Sequence, residues 1–171
     1  MQKKEFFTPQ NITRLALVAA MYVALILAVP GLQYGEVQFR FAEILVLLCF
    51  YRKDYVPAMI LACLIANLPS PLGWFDWVFG PLATALAVIP MYYVKNIWLA
   101  ALLPVISNGV IVGVELHWAF GSPVLINMAF VAVGELAVMV IGAVIFKFVF
   151  EKNAPLMRLI GSTRSTRKTE V

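Results

Sequence analysis

The chain has 171 residues, of which 63% are hydrophobic and 13% are charged. A soluble globular domain has roughly 45–50% apolar and about 25% charged residues, so this composition excludes an ordinary soluble domain and indicates an integral membrane protein. The formal net charge of +4 does not require a nucleic-acid partner, because membrane topology explains where the basic residues lie.

Six apolar stretches predict six transmembrane helices, since a helix needs about 20 apolar residues to cross a bilayer. The second stretch is too short to span alone, and the polar loop Gln33–Glu36 precedes it. We expect residues 1–11 to form a cytoplasmic N-terminal segment, residues 12–150 the transmembrane domain, and residues 151–171 a basic cytoplasmic tail that is disordered. The predicted helices are Ile12–Val29, Phe39–Tyr51, Tyr55–Leu68, Phe75–Val94, Ile97–Trp118 and Val124–Phe150.

The basic residues determine the orientation that we predict. Cytoplasmic segments of membrane proteins are rich in Lys and Arg, and every basic residue except Arg40 lies in a tail, at a helix end or in a short turn. If the N-terminus is inside, then the turns at Arg52-Lys53 and Lys95 and the C-terminal tail are inside too. The sequence therefore predicts an all-α bundle with its N and C termini in the cytoplasm.

Charged and amide side chains inside the spans predict a binding site, because a charge in hydrocarbon costs roughly 2.5–3.5 kcal/mol and usually has a role. Most lie near the outer helix ends; Asn108 and Glu135 lie deeper. Asn108 and Glu115 are seven residues apart and so share a helix face. The cluster is expected to open outward, as in a receptor for an external solute. The candidate substrate-binding residues are Arg40, Glu43, Asn67, Trp74, Asp76, Trp77, Asn108, Glu115, Asn127 and Glu135.

Most of these candidates also have a purely structural interpretation. Arg40 and Glu43 are three residues apart and could pair with each other. Asp76 could cap the fourth helix, and Asn67 and Asn127 could bond the backbone at helix ends. The tryptophans could belong to an interfacial aromatic belt. The sequence leaves these alternatives open.

No motif for catalysis or metal binding is present. Cys49 and Cys63 lie in apolar runs without a CxxC pair, and His117 is the one histidine, so neither a disulfide scaffold nor a zinc site is indicated. The sequence lacks the motifs GxxxxGK[ST], HExxH and GxSxG. Their absence argues against a P-loop ATPase, a zinc protease and a serine hydrolase. We predict no enzymatic activity, no cofactor and no metal, so active uptake would draw its energy from a partner or an ion gradient.

The first helix carries a stripe of small residues. Ala16, Ala20, Ala24 and Ala28 are each four residues apart, a spacing that lets a second helix approach closely in a membrane. The stripe either packs against helices of this chain or docks a separate membrane subunit. Gly109 and Gly113 form a GxxxG match in the fifth helix, which favours packing within the bundle.

The segment Val37–Glu43 reads VQFRFAE. Further short motifs follow it at Cys63–Leu68, Ser70–Gly73, Asp76, Val78–Gly80, Pro104-Val105, Asn108, Val112–Leu116 and Gly134-Glu135. Together these motifs resemble the QueT family, the substrate-binding S components of energy-coupling factor (ECF) transporters, whose signature is V/I-Q-F-R-x-x-E. The resemblance covers roughly residues 10–150.

This resemblance implies a six-helix bundle of the ECF S-component type in the bacterial cell membrane. It implies a queuosine precursor as substrate, preQ1 or a related 7-deazaguanine, captured from outside. The implied partners are a transmembrane coupling subunit of the EcfT type, docked on Ala16, Ala20 and Ala24, and two cytoplasmic ATPases. Two alternatives are an S component for another small vitamin or nucleobase, and a stand-alone proton-coupled secondary transporter.

Overall fold

The computed structural model describes residues 8–28 and 40–164, and within these ranges every regular element is helical. The elements in chain order are α1 (Pro9–Ala28), α2 (Phe41–Tyr51), α3 (Tyr55–Asn67), α4 (Trp74–Met91), α5 (Ile97–Phe120), α6 (Val124–Phe150) and α7 (Ala154–Leu159). Helix α2 begins as a 3-10 helix over Phe41–Leu47, and α6 ends in a π-helical turn over Phe146–Phe150.

Four of the described helices, α1, α4, α5 and α6, are long and apolar enough to cross a membrane. Helices α2 and α3 are apolar but shorter, which confirms that the second helix is too short to span alone. The loop Gln33–Glu36 and the signature residues 37–39 lie outside the described residues.

Helix α2 is the centre of the bundle. Helices α1, α3, α4, α5 and α6 all contact it, while α3 packs against both α1 and α4, and α5 against both α4 and α6. Every residue from Val46 to Tyr51 is buried. A helix that is hydrophobic on all sides needs apolar surroundings on all sides, and the five neighbours supply them.

Glycines let α5 and α6 approach closely. A Cβ atom on Gly113 would lie 2.8 Å from the Cα of Met128, and one on Gly109 would lie 3.1 Å from the Cβ of Ala132. The GxxxG match of α5 therefore packs within the bundle, as its sequence context favours.

The segment after α6 folds back over the ends of α2 and α3. The Tyr55 hydroxyl donates to the main-chain oxygen of Ile160 at 3.0 Å, and the Thr163 hydroxyl donates to that of Tyr51 at 3.0 Å. The Arg164 guanidinium lies 3.7 Å from the centre of the Phe50 ring. The structure thus differs from the expectation of a disordered tail as far as Arg164, because the tail meets polar groups that the helix ends leave without intrahelical partners.

Candidate functional site

Seven buried polar side chains of α2 to α6, and of the residue preceding α2, form one cluster in the apolar bundle. Each is at most 7% exposed, and hydrogen bonds or close electrostatic contacts connect them. All seven are candidates from the sequence. Their similar depth in the membrane therefore predicted that they lie together. The polar cluster consists of Arg40, Glu43, Asn67, Asp76, Asn108, Glu115 and Glu135.

Arg40 connects α2 to α3. Its Nε lies 3.8 Å from Glu43 Oε1, and its Nη2 donates to Asn67 Oδ1 at 3.3 Å. The pairing of Arg40 with Glu43 that their spacing allowed is therefore present, and Arg40 also reaches a second candidate. Because Arg40 is 7% exposed, this pair lies away from water, where charged partners interact more strongly than at a surface.

Asn67, the last residue of α3, is held by α4. Its amide donates to the main-chain oxygen of Asp76 at 3.3 Å and to Cys63 Sγ at 3.5 Å. A Cβ atom at Gly80 would overlap this amide, so the glycine makes the space that Asn67 occupies. The predicted bond from Asn67 to the backbone at a helix end is present, and the same side chain accepts from Arg40.

Asp76 is bound to the loop before α4. Its carboxylate accepts a hydrogen bond from the Ser70 hydroxyl, and that hydroxyl accepts one from the main-chain N–H of Leu72 at 3.2 Å. Helix α4 follows Gly73, which has a φ of 60°, and no side chain caps its start. Asp76 therefore fixes the loop against the cluster and does not act as a helix cap.

Glu115 and Glu135 have carboxylate oxygens without hydrogen-bond partners among the described residues. These are both oxygens of Glu115 and Oε1 of Glu135. Glu115 is fully buried and faces Asp76, while Glu135 is 2% exposed and lies beside Glu43 and Asn108. A buried acceptor without a donor costs about 1–3 kcal/mol, so these oxygens are acceptors that the described residues leave open to a further donor.

The charge of the polar cluster also constrains a ligand. It contains one guanidinium, that of Arg40, against four carboxyl groups. An excess of carboxyl groups in a low-dielectric interior favours neutral donors or cations and repels anions. The carboxyl groups belong to Glu43, Asp76, Glu115 and Glu135.

Three sequence candidates lie apart from the polar cluster. Trp74 and Trp77 are 58% and 43% exposed, and the Trp74 ring stacks on Phe75 with centroids 4.1 Å apart, an arrangement typical of a surface aromatic belt. Asn127 is buried, but its amide donates to the Ser122 hydroxyl at 2.7 Å before α6. The exposure of the tryptophans fits the interpretation as an aromatic belt, whereas the Asn127 amide bonds a side-chain hydroxyl and not the backbone that the sequence suggested.

One side chain that sequence reasoning missed is Tyr22. It is fully buried on α1, and its hydroxyl donates to Glu43 Oε1 at 2.6 Å. The spacing of the apolar residues could have identified it, because Leu15, Tyr22 and Ile26 are seven and four residues apart and form the buried face of α1. A tyrosine on such a face needs a partner for its hydroxyl.

The alanine stripe lies on the opposite side of α1. Ala16, Ala20 and Ala24 are all exposed. The stripe does not pack against the described helices of this chain, and it remains available to another surface.

Comparisons with known proteins agree with the resemblance in the motifs. The family described as "QueT transporter" matches residues 12–151. A relative from Lactococcus lactis subsp. cremoris, named "Queuosine precursor transporter QueT", is 32% identical over 152 residues, which are 79% of this chain and 89% of that protein. No solved structure matches the chain. The match over most of the chain and the four helices that are long and apolar enough to cross a membrane show that this is a multi-pass membrane protein of the QueT transporter family, with a role in transport and not in catalysis.

Proposed function

We propose that the chain is the substrate-binding (S) subunit of an ATP-driven ECF importer that captures a queuosine precursor, preQ1 or a related 7-deazaguanine, from outside. The observation that carries the proposal is the unpartnered Oε1 of Glu135, buried among membrane helices beside Asn108, together with the fully buried Glu115 that faces Asp76. The name of the Lactococcus lactis relative supports the substrate class.

The chemistry of the polar cluster suits such a ligand. A guanine-like edge presents neighbouring N–H donors, and one carboxylate accepts two of them, while an amide such as Asn108 donates to the adjacent carbonyl. The aminomethyl group of preQ1 is a cation that a second carboxylate stabilises. Glu115 and Glu135 supply the two carboxylates, and the excess of carboxyl groups opposes an anionic vitamin.

Within this site the residues divide into two groups. Arg40, Glu43 and Asn67 hold one another through the contacts described above, and they fix the walls of the site before the ligand arrives. Glu115 and Glu135 have acceptor oxygens to spare and contact the ligand. A site whose walls are already ordered loses less entropy on binding.

The proposed topology has six membrane-crossing helices, with α2 and α3 as the short pair and both termini in the cytoplasm of a bacterial cell. The clustering of basic residues at one side supports this orientation. It places Arg40 and the polar cluster toward the outside, where the substrate arrives, and the Arg52-Lys53 turn in the cytoplasm.

Energy and release are proposed to come from partners. The chain has no P-loop, so a coupling subunit of the EcfT type and two cytoplasmic ATPases drive transport. The exposed small residues Ala16, Ala20 and Ala24 let a helix of the coupling subunit approach closely.

Isothermal titration calorimetry of the purified chain tests the substrate. We expect submicromolar affinity for preQ1 and none for riboflavin, an unrelated vitamin, because the donors of the deazaguanine edge match the buried acceptors. Absence of binding by every deazaguanine would remove the substrate from the proposal. Uptake by the chain alone in proteoliposomes under a pH gradient would favour a secondary transporter instead.

A further inference from the structure

We infer that Tyr22 is a positioning residue of the substrate site, which acts by holding the Glu43 carboxylate. The inference rests on the proposed function. Tyr22 is fully buried, and its hydroxyl donates to Glu43 Oε1 at 2.6 Å. A distance of this size is typical of a charge-assisted bond from a hydroxyl to a carboxylate. Helix α1, which contributes no charge to the polar cluster, thereby controls one of its acids.

The contact begins a relay of side chains that crosses four helices. Glu43 Oε1, which accepts from Tyr22, also lies 3.8 Å from Arg40 Nε. Arg40 Nη2 donates to Asn67 Oδ1, and Asn67 Nδ2 donates to the main-chain oxygen of Asp76, both at 3.3 Å. The relay therefore runs from α1 through α2 and α3 to α4.

The relay passes directly beside the proposed ligand contacts. Glu135 interacts electrostatically with both Glu43 and Arg40, and Glu115 faces Asp76. A change in the position of Glu43 therefore changes the charge that surrounds a ligand bound to Glu135. Interactions of this kind are strong inside the bundle, because little water is present to screen them.

Removal of the hydroxyl alone, in Tyr22→Phe, has a defined consequence. Arg40 Nε has no hydrogen-bond partner among the described residues, so the carboxylate of Glu43 turns toward it. Arg40 then moves away from Asn67 and loses the hydrogen bond that it donates to the Asn67 amide oxygen in the wild type. The phenylalanine ring keeps the packing of α1, so the expected change is in the geometry of the site and not in the fold.

A matched control is available in Tyr55. It is also fully buried, and its hydroxyl donates to the main-chain oxygen of Ile160 at 3.0 Å. Tyr55→Phe therefore removes one buried hydroxyl and one hydrogen bond, but neither belongs to the polar cluster. Thermal unfolding of both variants without ligand shows whether each remains folded.

Calorimetry with preQ1 tests the inference. We expect Tyr22→Phe to weaken binding about tenfold, the size of effect that loss of a bond to a charged group produces, while Tyr55→Phe changes it less than about twofold. Equal affinities of the wild type and Tyr22→Phe would overturn the inference and leave the proposed function intact. If the wild type itself binds no deazaguanine, both are overturned.

A double-mutant cycle separates positioning from packing. If Tyr22 acts through Glu43, then Glu43→Leu and the double variant Tyr22→Phe/Glu43→Leu bind preQ1 with the same affinity, because leucine leaves the Tyr22 hydroxyl no acceptor at this position. Losses of affinity that add up in the double variant would show that Tyr22 acts independently of Glu43, and the inference would be wrong.

Discussion

Replacement of Glu135 by glutamine is expected to weaken binding of preQ1 at least tenfold, or about 1.4 kcal/mol. Oε1 of Glu135 is buried without a hydrogen-bond partner among the described residues. Glutamine puts an amide donor where one of the two carboxyl oxygens was, so N–H donors of the ligand lose an acceptor. Hydrogen bonds to charged groups contribute about 1.5–3 kcal/mol, which sets the size of the expected loss. Titration calorimetry gives the affinity.

Glu151 provides the matched control for the same chemical change. Its carboxylate accepts hydrogen bonds from Lys147 Nζ at 2.8 Å and from the Tyr51 hydroxyl at 3.1 Å. Glu151 follows α6 and lies beside the last residue of α2, away from the polar cluster. Glu151→Gln is expected to change the affinity for preQ1 less than about twofold. If Glu135→Gln binds as tightly as the wild type, then Glu135 does not contact the ligand.

Added bulk at Ala20 is expected to abolish co-purification with the coupling subunit. Ala16, Ala20 and Ala24 form an exposed stripe on α1, and close approach of two membrane helices depends on such small residues. A leucine at position 20 would hold the partner helix away over the whole contact. Pull-down of an affinity-tagged coupling subunit from membranes, with this chain detected in the eluate, measures the effect.

The control places the same bulk on another helix. Ala137 is exposed on α6, so Ala137→Leu enlarges the surface without touching the stripe, and the complex is expected to form normally. Ala20→Leu should keep the wild-type affinity for preQ1, because the stripe faces away from the polar cluster. Survival of the complex in Ala20→Leu would show that α1 is not the docking face.

The sequence predicted the lengths of the helices better than their arrangement. The apolar stretch that ends at Tyr51 was too short to span alone, and α2 is indeed a short helix. Its central position was not predictable, because lipid and protein interior are equally apolar and the same residues suit both. The contacts of α2 with five neighbours, visible only in three dimensions, show that it faces protein.

The C-terminal tail shows a second case in which local composition did not predict the structure. A basic segment rich in Ser and Thr predicts disorder, yet residues up to Arg164 fold back on the bundle. The bond from Tyr55 to Ile160 joins residues 105 positions apart. Such a contact depends on which helix ends meet in space, and a window of sequence does not contain that information.

The depth of a polar residue in the membrane predicted the members of the polar cluster. It did not predict whether a side chain faces the inside or the outside of the bundle. Glu115 and Glu135 lie where the cost of a charge in lipid indicates a site, and both face the interior. Trp74 and Trp77 lie at a suitable depth but point outward, because position along a helix does not fix the side that faces the bundle. Tyr22 was missed because an uncharged aromatic residue in an apolar span gives no comparable energetic signal.

Mass spectrometry of the small molecule that co-purifies with the chain is the most direct test of the claim that the polar cluster binds a flat deazaguanine. Wild-type protein purified from cells that have preQ1 in the medium should release a 7-deazaguanine in stoichiometric amount, and Glu135→Gln purified in parallel should release far less. Release of a chemically unrelated compound, or of equal amounts of deazaguanine from both proteins, would contradict the account.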